Sequence, residues 1–195
     1  MYAPPPPPQQ KSNNNVLWIV LGMLAVCGIG GVGIMAAILF PVFSQAKLAA
    51  KKTQALSNVK QLGLAINIYA SDNNDRMPIA DRWMDAVESY ARQERIFRSP
   101  EATPEDPTDY GFAFRKEFGQ KKMIDYPDAA TRAMVFDSTI LSRNATSGLE
   151  TVPNPGRYGT SSTRGNMIGF MDGHAKFYTD EAYLKQRALG SKELR

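Results

Sequence analysis

VLWIVLGMLAVCGIGGVGIMAAILFPVFSQAKLAAKKTQALSNVKQLGLAINIYAS, Val16 to Ser71, contains no acidic residue and changes character at Pro41. Before the proline runs an unbroken apolar stretch, Val16 to Phe40; beyond it the sequence becomes amphipathic and gains lysines. At a helical rise of about 1.5 Å per residue, an apolar stretch of about 25 residues crosses a hydrocarbon core of about 30 Å with some tilt. The stretch therefore predicts a transmembrane helix over 16–40, with the lipid bilayer as its partner.

Gly22, Gly28, Gly30, Gly31 and Gly33 lie inside the apolar stretch. Membrane helices tolerate glycine, and small residues also let a second helix approach; without a strict four-residue repeat, tolerance is the simpler reading. A removable signal cut after Ala46 fits poorly, because its apolar region runs to roughly 7 to 15 residues. LAVC, Leu24 to Cys27, is like a lipoprotein box but has Val26 where a small residue is expected, so Cys27 reads as a structural residue.

All 19 acidic residues of the 195-residue chain fall in 72–195, against 18 of its 23 lysines and arginines, so the C-terminal part is close to neutral. The net charge of +4 belongs to the N-terminal part, to Lys11, Lys47, Lys51, Lys52 and Lys60. A near-neutral domain offers no basic face, which argues against nucleic acid as a partner; lipid headgroups are nearer partners for those lysines. The positive-inside rule, applied to Lys47, Lys51 and Lys52, points to a cytoplasmic C-terminal domain. Cys27 is the only cysteine, which excludes a disulfide framework or a cysteine-rich zinc site.

Residues 1–15, MYAPPPPPQQKSNNN, read as an extended disordered leash, with a proline-recognition ligand as the alternative. After Pro41, steps of three and four link Ala46, Ala49, Thr53, Leu56, Val59, Leu62, Ile66 and Tyr69 into an amphipathic spine helix over 41–71. Leu64 and Ile68 widen its apolar face, so its second half is expected to be covered. Residues 72–195 then form one small α+β head. Within it the pattern predicts a helix over 81–93 with Asp81 as cap, strands at Tyr110 to Phe114 and Ala133 to Asp137, and a mobile polar segment from Ser142 to Gly165. GNMIGFMDGHAKFY, Gly165 to Tyr178, predicts an antiparallel hairpin with Asp172 and Gly173 in a two-residue turn, both at positive φ. A terminal helix follows, capped by Thr179 and stopped at Gly190.

The run AAILFPVFSQAKLAAKKTQALSNVKQLGLAINIYASDNNDRMP, with FRSP at Phe97 to Pro100, DYGFAFR at Asp109 to Arg115 and FMDGHAKFY at Phe170 to Tyr178, resembles bacterial prepilin-like proteins related to the G-type pseudopilins of type II secretion. The match covers most of residues 34–185 in order. It implies a pilin-like α+β fold, in which a membrane helix continues as a spine packed on a small antiparallel sheet with short helices. It further implies a structural or scaffolding role in type II secretion or pilus-like machinery, other pseudopilins or a second copy as partners through the spine, and an extracytoplasmic head at the bacterial inner membrane. The family's basic leader ending in Gly-Phe, and its membrane glutamate, have no counterpart here, so the usual prepilin peptidase site is lacking. Ser99 stands where relatives often carry cysteine.

No residue is assigned a catalytic, cofactor-binding or metal-ligating role. His174 is the only histidine and reads as a hairpin side chain, because catalysis needs a base, an orienter and a nucleophile together. Ser138 lacks the glycine context of a nucleophile elbow. Asp125, Asp128, Asp137 and Asp172 are the candidates for a calcium site, with solvated or capping carboxylates as the simpler reading. Asn144-Ala-Thr146 fits a glycosylation sequon. A membrane-tethered binding module, gripping a ligand with the 142–165 segment and the DGH hairpin, is the alternative to a scaffold.

Overall fold

The computed structural model describes residues 15–102 and 109–188, with the backbone alone at 25–34, 162 and 186–188. The leash, the glycines at 28–33, Cys27 and the Gly190 stop lie outside the described residues or side chains. Two compact units are present, Met1–Ala46 and Lys47–Arg195.

In the first unit the chain is helical from Asn15, within helix α1 (Asn15–Asp72), which includes Pro41. Its described apolar side chains are exposed on every side: Trp18, Leu24, Met35, Phe40 and Phe43 each leave most of their surface uncovered. Among the described residues, no helix is long and apolar enough to cross a membrane. The middle of the expected span, 25–34, lies outside the described side chains, and the described flanks are each shorter than the roughly 17 to 25 residues that a span requires.

The second unit is α+β. The last turns of α1 pack on a five-stranded sheet built from β1 (Phe112–Arg115), β2 (Ala133–Asp137), β3 (Thr146–Ser147), β4 (Gly165–Phe170) and β5 (Ala175–Thr179). The strand order is β3-β1-β2-β4-β5. Pairs β1–β2, β2–β4 and β4–β5 are antiparallel, but β3 runs parallel to β1, so the sheet is mixed rather than antiparallel throughout. The parallel strand comes from the polar segment after Ser142, which has no alternating pattern to announce it.

Side-chain alternation sends Phe112 and Phe114 toward the α1 side, where Val59, Leu62, Ile66, Trp83 and Phe97 fill the main core. Ala113 faces the other way, into a smaller core with Phe136, Ile168, Phe170 and Tyr183. Coverage on both faces leaves β1, β2 and β4 buried along their whole length.

The buried stripe of α1 is Ala55, Asn58, Val59, Leu62, Ala65, Ile66 and Ala70. It overlaps the expected one: Val59, Leu62 and Ile66 lie in the core, Leu56 and Tyr69 are partly buried against it, and Ala55, Asn58, Ala65 and Ala70 add to the buried face. Ala49 and Thr53 are exposed, and Leu64 and Ile68 stay exposed instead of being covered. The helix expected over 81–93 is a composite: a 3₁₀ turn at Ala80–Arg82, helix α2 (Trp83–Val87) and a second 3₁₀ turn at Glu88–Tyr90. Asp81 does not cap it; its carboxylate accepts from Thr146 Oγ1 at 3.3 Å. Helix α3 (Asp180–Ala188) begins as expected, with Thr179 Oγ1 accepting from the Ala182 amide.

Candidate functional site

The DGH element is a three-residue loop, not a two-residue turn. The Gly173 amide donates to the Phe170 carbonyl at 2.9 Å and the Phe170 amide to the His174 carbonyl at 2.8 Å, closing a loop of Met171, Asp172 and Gly173. Gly173 takes φ +90°, whereas Asp172 does not enter the left-handed region. A left-handed glycine at the last position is what hairpins of this loop length favour. Asp172 Oδ1 receives the His174 amide at 3.1 Å and lies 2.6 Å from His174 Nδ1. The imidazole stacks on Phe170 with centroids 4.2 Å apart. The loop is seated on α1, where Gly63 and Asn67 meet Gly173. All three residues of the motif serve the hairpin itself. The Asp172 carboxylate closes the turn, Gly173 lets the backbone approach the helix, and the His174 ring covers the hairpin. Among the described residues, no hydroxyl or thiol hydrogen-bonds to His174.

A second polar cluster is buried. Asp137 has no exposed surface and receives three donors: Ser99 Oγ at 2.9 Å, the Met167 amide at 2.6 Å and Arg157 Nη1 at 3.5 Å. Ser99 has one hydroxyl proton and gives it to Asp137, so the 2.7 Å contact with Tyr158 is a bond donated by the Tyr158 hydroxyl. Arg157 also donates to the carbonyls of Gly111 (2.7 Å) and Ser138. Burial pushes the Asp137 carboxyl up, against the pull of Arg157, and pushes the Tyr158 hydroxyl well above its ordinary value, helped by the Asp137 charge. The cluster's three donors already occupy the carboxylate. It ties the segments around 99, 111, 138, 157 and 167 together.

That cluster also corrects the expectation of a mobile 142–165 segment. Tyr158 and Val152 are buried, the Tyr158 and Gly165 amides exchange backbone hydrogen bonds at 3.0 Å, and β3 pairs with β1. Polarity alone suggests mobility, but Arg143, Asn144, Thr151 and Arg157 make internal bonds. Asn144, with φ +58°, caps α2 from outside: its Oδ1 receives the amides of Met84 (2.8 Å) and Asp85 (3.3 Å), while its Nδ2 donates to Asp85 Oδ2 (2.7 Å). The amide of the sequon is therefore engaged through both its oxygen and its nitrogen. Arg143 beside it holds Asp85 at 2.6 Å and Glu88 at 2.9 Å.

The four aspartates singled out for calcium do not converge. Asp137 belongs to the buried cluster, Asp128 pairs with Arg132 at 2.7 Å, Asp172 closes the hairpin, and Asp125 ends a 3₁₀ turn. Among the described residues, no group of three or more acidic, histidine or cysteine side chains is placed to hold a metal ion. Two of the basic residues assigned to lipid headgroups also have partners in the head. Lys51 Nζ lies 2.5 Å from Glu101 Oε1, and Lys52 Nζ stands 3.4 Å above the Phe177 ring. Lys47 and Lys60 remain exposed.

No protein-family profile, curated protein or solved structure matches this chain. Sequence reasoning did not find Ser99, Arg157 and Tyr158 as a unit, since they lie far apart in the chain and share no spacing. Asp137 at the end of a wholly apolar strand was the one available signal, because a buried carboxylate requires partners.

Proposed function

We propose that this chain is a single-pass, membrane-anchored, pilin-like structural or scaffolding protein of the bacterial inner membrane, with its head on the extracytoplasmic side. It works without turnover, in association with type II secretion or pilus-like machinery.

One observation carries the reading: a single helix, α1, contains both the apolar Val16 to Phe40 stretch and the stripe from Ala55 to Ala70 that forms one wall of the head's core. A helix that is apolar on all sides is stable in lipid or inside a protein, and the described side chains of the first unit are uncovered by protein. The seating of the DGH hairpin on Gly63 supports the pilin-like reading of the head, since the motifs that carry the resemblance meet there.

Membrane fractionation with crosslinking tests the role. Lys47 and Lys60 are the attachment points to use, because Lys51 and Lys52 are engaged with Glu101 and Phe177. Recovery in the membrane fraction with lateral adducts through the helix is the expected result. A soluble or strictly monomeric species contradicts it.

The alternative is a membrane-tethered binding module that grips a ligand with the 142–165 segment and the DGH hairpin. Deleting residues 143–163 removes Arg157 and Tyr158 from the core, so loss of the fold is expected from that deletion rather than selective loss of a ligand.

A further inference from the structure

A groove runs along the exposed side of α1, wholly within the second unit. Its floor is the stripe Thr53, Ser57, Gln61, Leu64 and Ile68, and its other wall is the segment from Tyr90 to Ile96. One end, of about 580 Å³, is polar and is lined by Arg92 and Arg95; the other, of about 360 Å³, is lined by Leu64, Ile68 and Tyr90. Gln61, Arg92 and Ile96 border both parts, so they form one channel. From Thr53 to Ile68 the helical rise gives a length of about 22 Å.

At the polar end Arg92 and Arg95 have no carboxylate partner among the described residues. Arg98, Arg115, Arg132, Arg143 and Arg157 each hold a carboxylate within 4 Å. Arg92 and Arg95 hold none among the described residues, although Glu94 stands between them in the sequence. Glu94 Oε1 is taken by Arg98 at 3.0 Å and by the Tyr110 hydroxyl at 3.2 Å, which draws the local acid away from the channel. At the other end Leu64 is 58 % and Ile68 41 % exposed, an apolar strip without a cover on a helix whose opposite side is fully buried.

We infer that this channel docks an acidic, amphipathic peptide segment of a partner protein, with carboxylates on Arg92 and Arg95 and apolar side chains against Leu64, Ile68 and Tyr90. Two guanidiniums without a carboxylate partner among the described residues, beside amide and hydroxyl side chains, suit carboxylates, and the apolar strip a helical turn away sets the direction of binding. This inference does not depend on membrane anchoring, since every residue it uses belongs to the head or to the part of α1 packed on it.

The test uses the full chain in detergent and a fluorescent 15-residue helical peptide with glutamates in its first half and leucines in its second. A second peptide carries lysine for each glutamate, and a third has the glutamates but serine for each leucine. Saturable binding of the first peptide is expected, about tenfold weaker to R92E/R95E and to L64S. The lysine peptide is expected to prefer R92E/R95E over the parent chain, a reversal that general loss of structure cannot produce. Circular dichroism checks that the variants, all at exposed positions, retain the fold. Absence of binding, equal binding to the parent chain and R92E/R95E, or equal binding of the serine peptide overturns the inference. So does displacement of the first peptide by vesicles of anionic lipid at matched charge, which would assign the channel to headgroups.

Discussion

Gly63 of the long helix and Gly173 of the hairpin loop lie face to face, so close that a β-carbon built on Gly63 would stand 3.4 Å from the Gly173 α-carbon. A few residues along the same helix, Val59 meets Gly169 of β4, where an added β-carbon would fall 2.5 Å from Val59 Cγ1. The helix therefore rests on backbone rather than on side chains at this end of the sheet, and the DGH loop is part of the seat.

The contact predicts an unusual order among substitutions at Gly63. Alanine fits at ordinary contact distance and gains helix propensity of up to about 1 kcal/mol, so Gly63→Ala is expected to be neutral or stabilising. Gly63→Leu drives a side chain into the loop and should cost about 1 to 3 kcal/mol. Gly173→Ala is strained at φ +90° and should cost about 1 to 2 kcal/mol. Urea unfolding of the full chain in detergent, followed by tryptophan fluorescence of the buried Trp83, measures all three.

The buried pair should be costly to break and cheap to remove whole. Arg157→Met leaves Asp137 without its cation in the core and is expected to lose about 3 to 5 kcal/mol. Asp137→Asn combined with Arg157→Met should recover part of that loss, and a double-mutant cycle reads the coupling. A purely additive cycle would show that the two side chains act independently.

Acid unfolding should depend on Arg143. Its hydrogen bond is the main force that holds the Asp85 carboxyl below the ordinary carboxylate range, as Arg98 does for Glu94. With a folded pKa below the unfolded one, each group adds stability that is present above the unfolded value and is lost as pH falls through the folded one. Both carboxylates are about half exposed, so solvent screening keeps each contribution below about 1 kcal/mol. Arg143→Met is expected to flatten the drop in urea midpoint between about pH 5 and pH 3; an unchanged slope would remove Asp85 from the account. Asp137, raised by burial, works the other way, its contribution being lost as pH rises through its folded value.

Amine acylation followed by peptide mass mapping should separate the lysines. Lys51, paired with Glu101, and Lys52, over Phe177, are expected to react several-fold more slowly than Lys47 and Lys60. Glu101→Gln should raise the reactivity of Lys51 toward theirs.

The elements with strong periodicity were legible. Strand Ala133–Asp137, the β4–β5 hairpin and the Thr179 cap all fall where their residue patterns place them, and α1 runs through the predicted spine. Alternation, turn residues and caps are local, so one chain suffices to read them. The full width of the spine stripe was not legible, because the alanines at 55, 65 and 70 carry little hydropathy signal yet are buried. Nor were β3, the Asn144 cap on α2 and the Ser99–Asp137–Arg157 cluster. Each satisfies polar groups across long sequence separations, and the pairing exists only once the chain is folded.

Protease treatment of spheroplasts, read by intact mass of the surviving fragments, tests the central proposal most directly. An extracytoplasmic head anchored through Val16 to Phe40 predicts that protease added outside removes the head and leaves a membrane-protected fragment containing the apolar stretch. A head that survives intact until the membrane is permeabilised, or a full-length chain recovered without membranes, would contradict it.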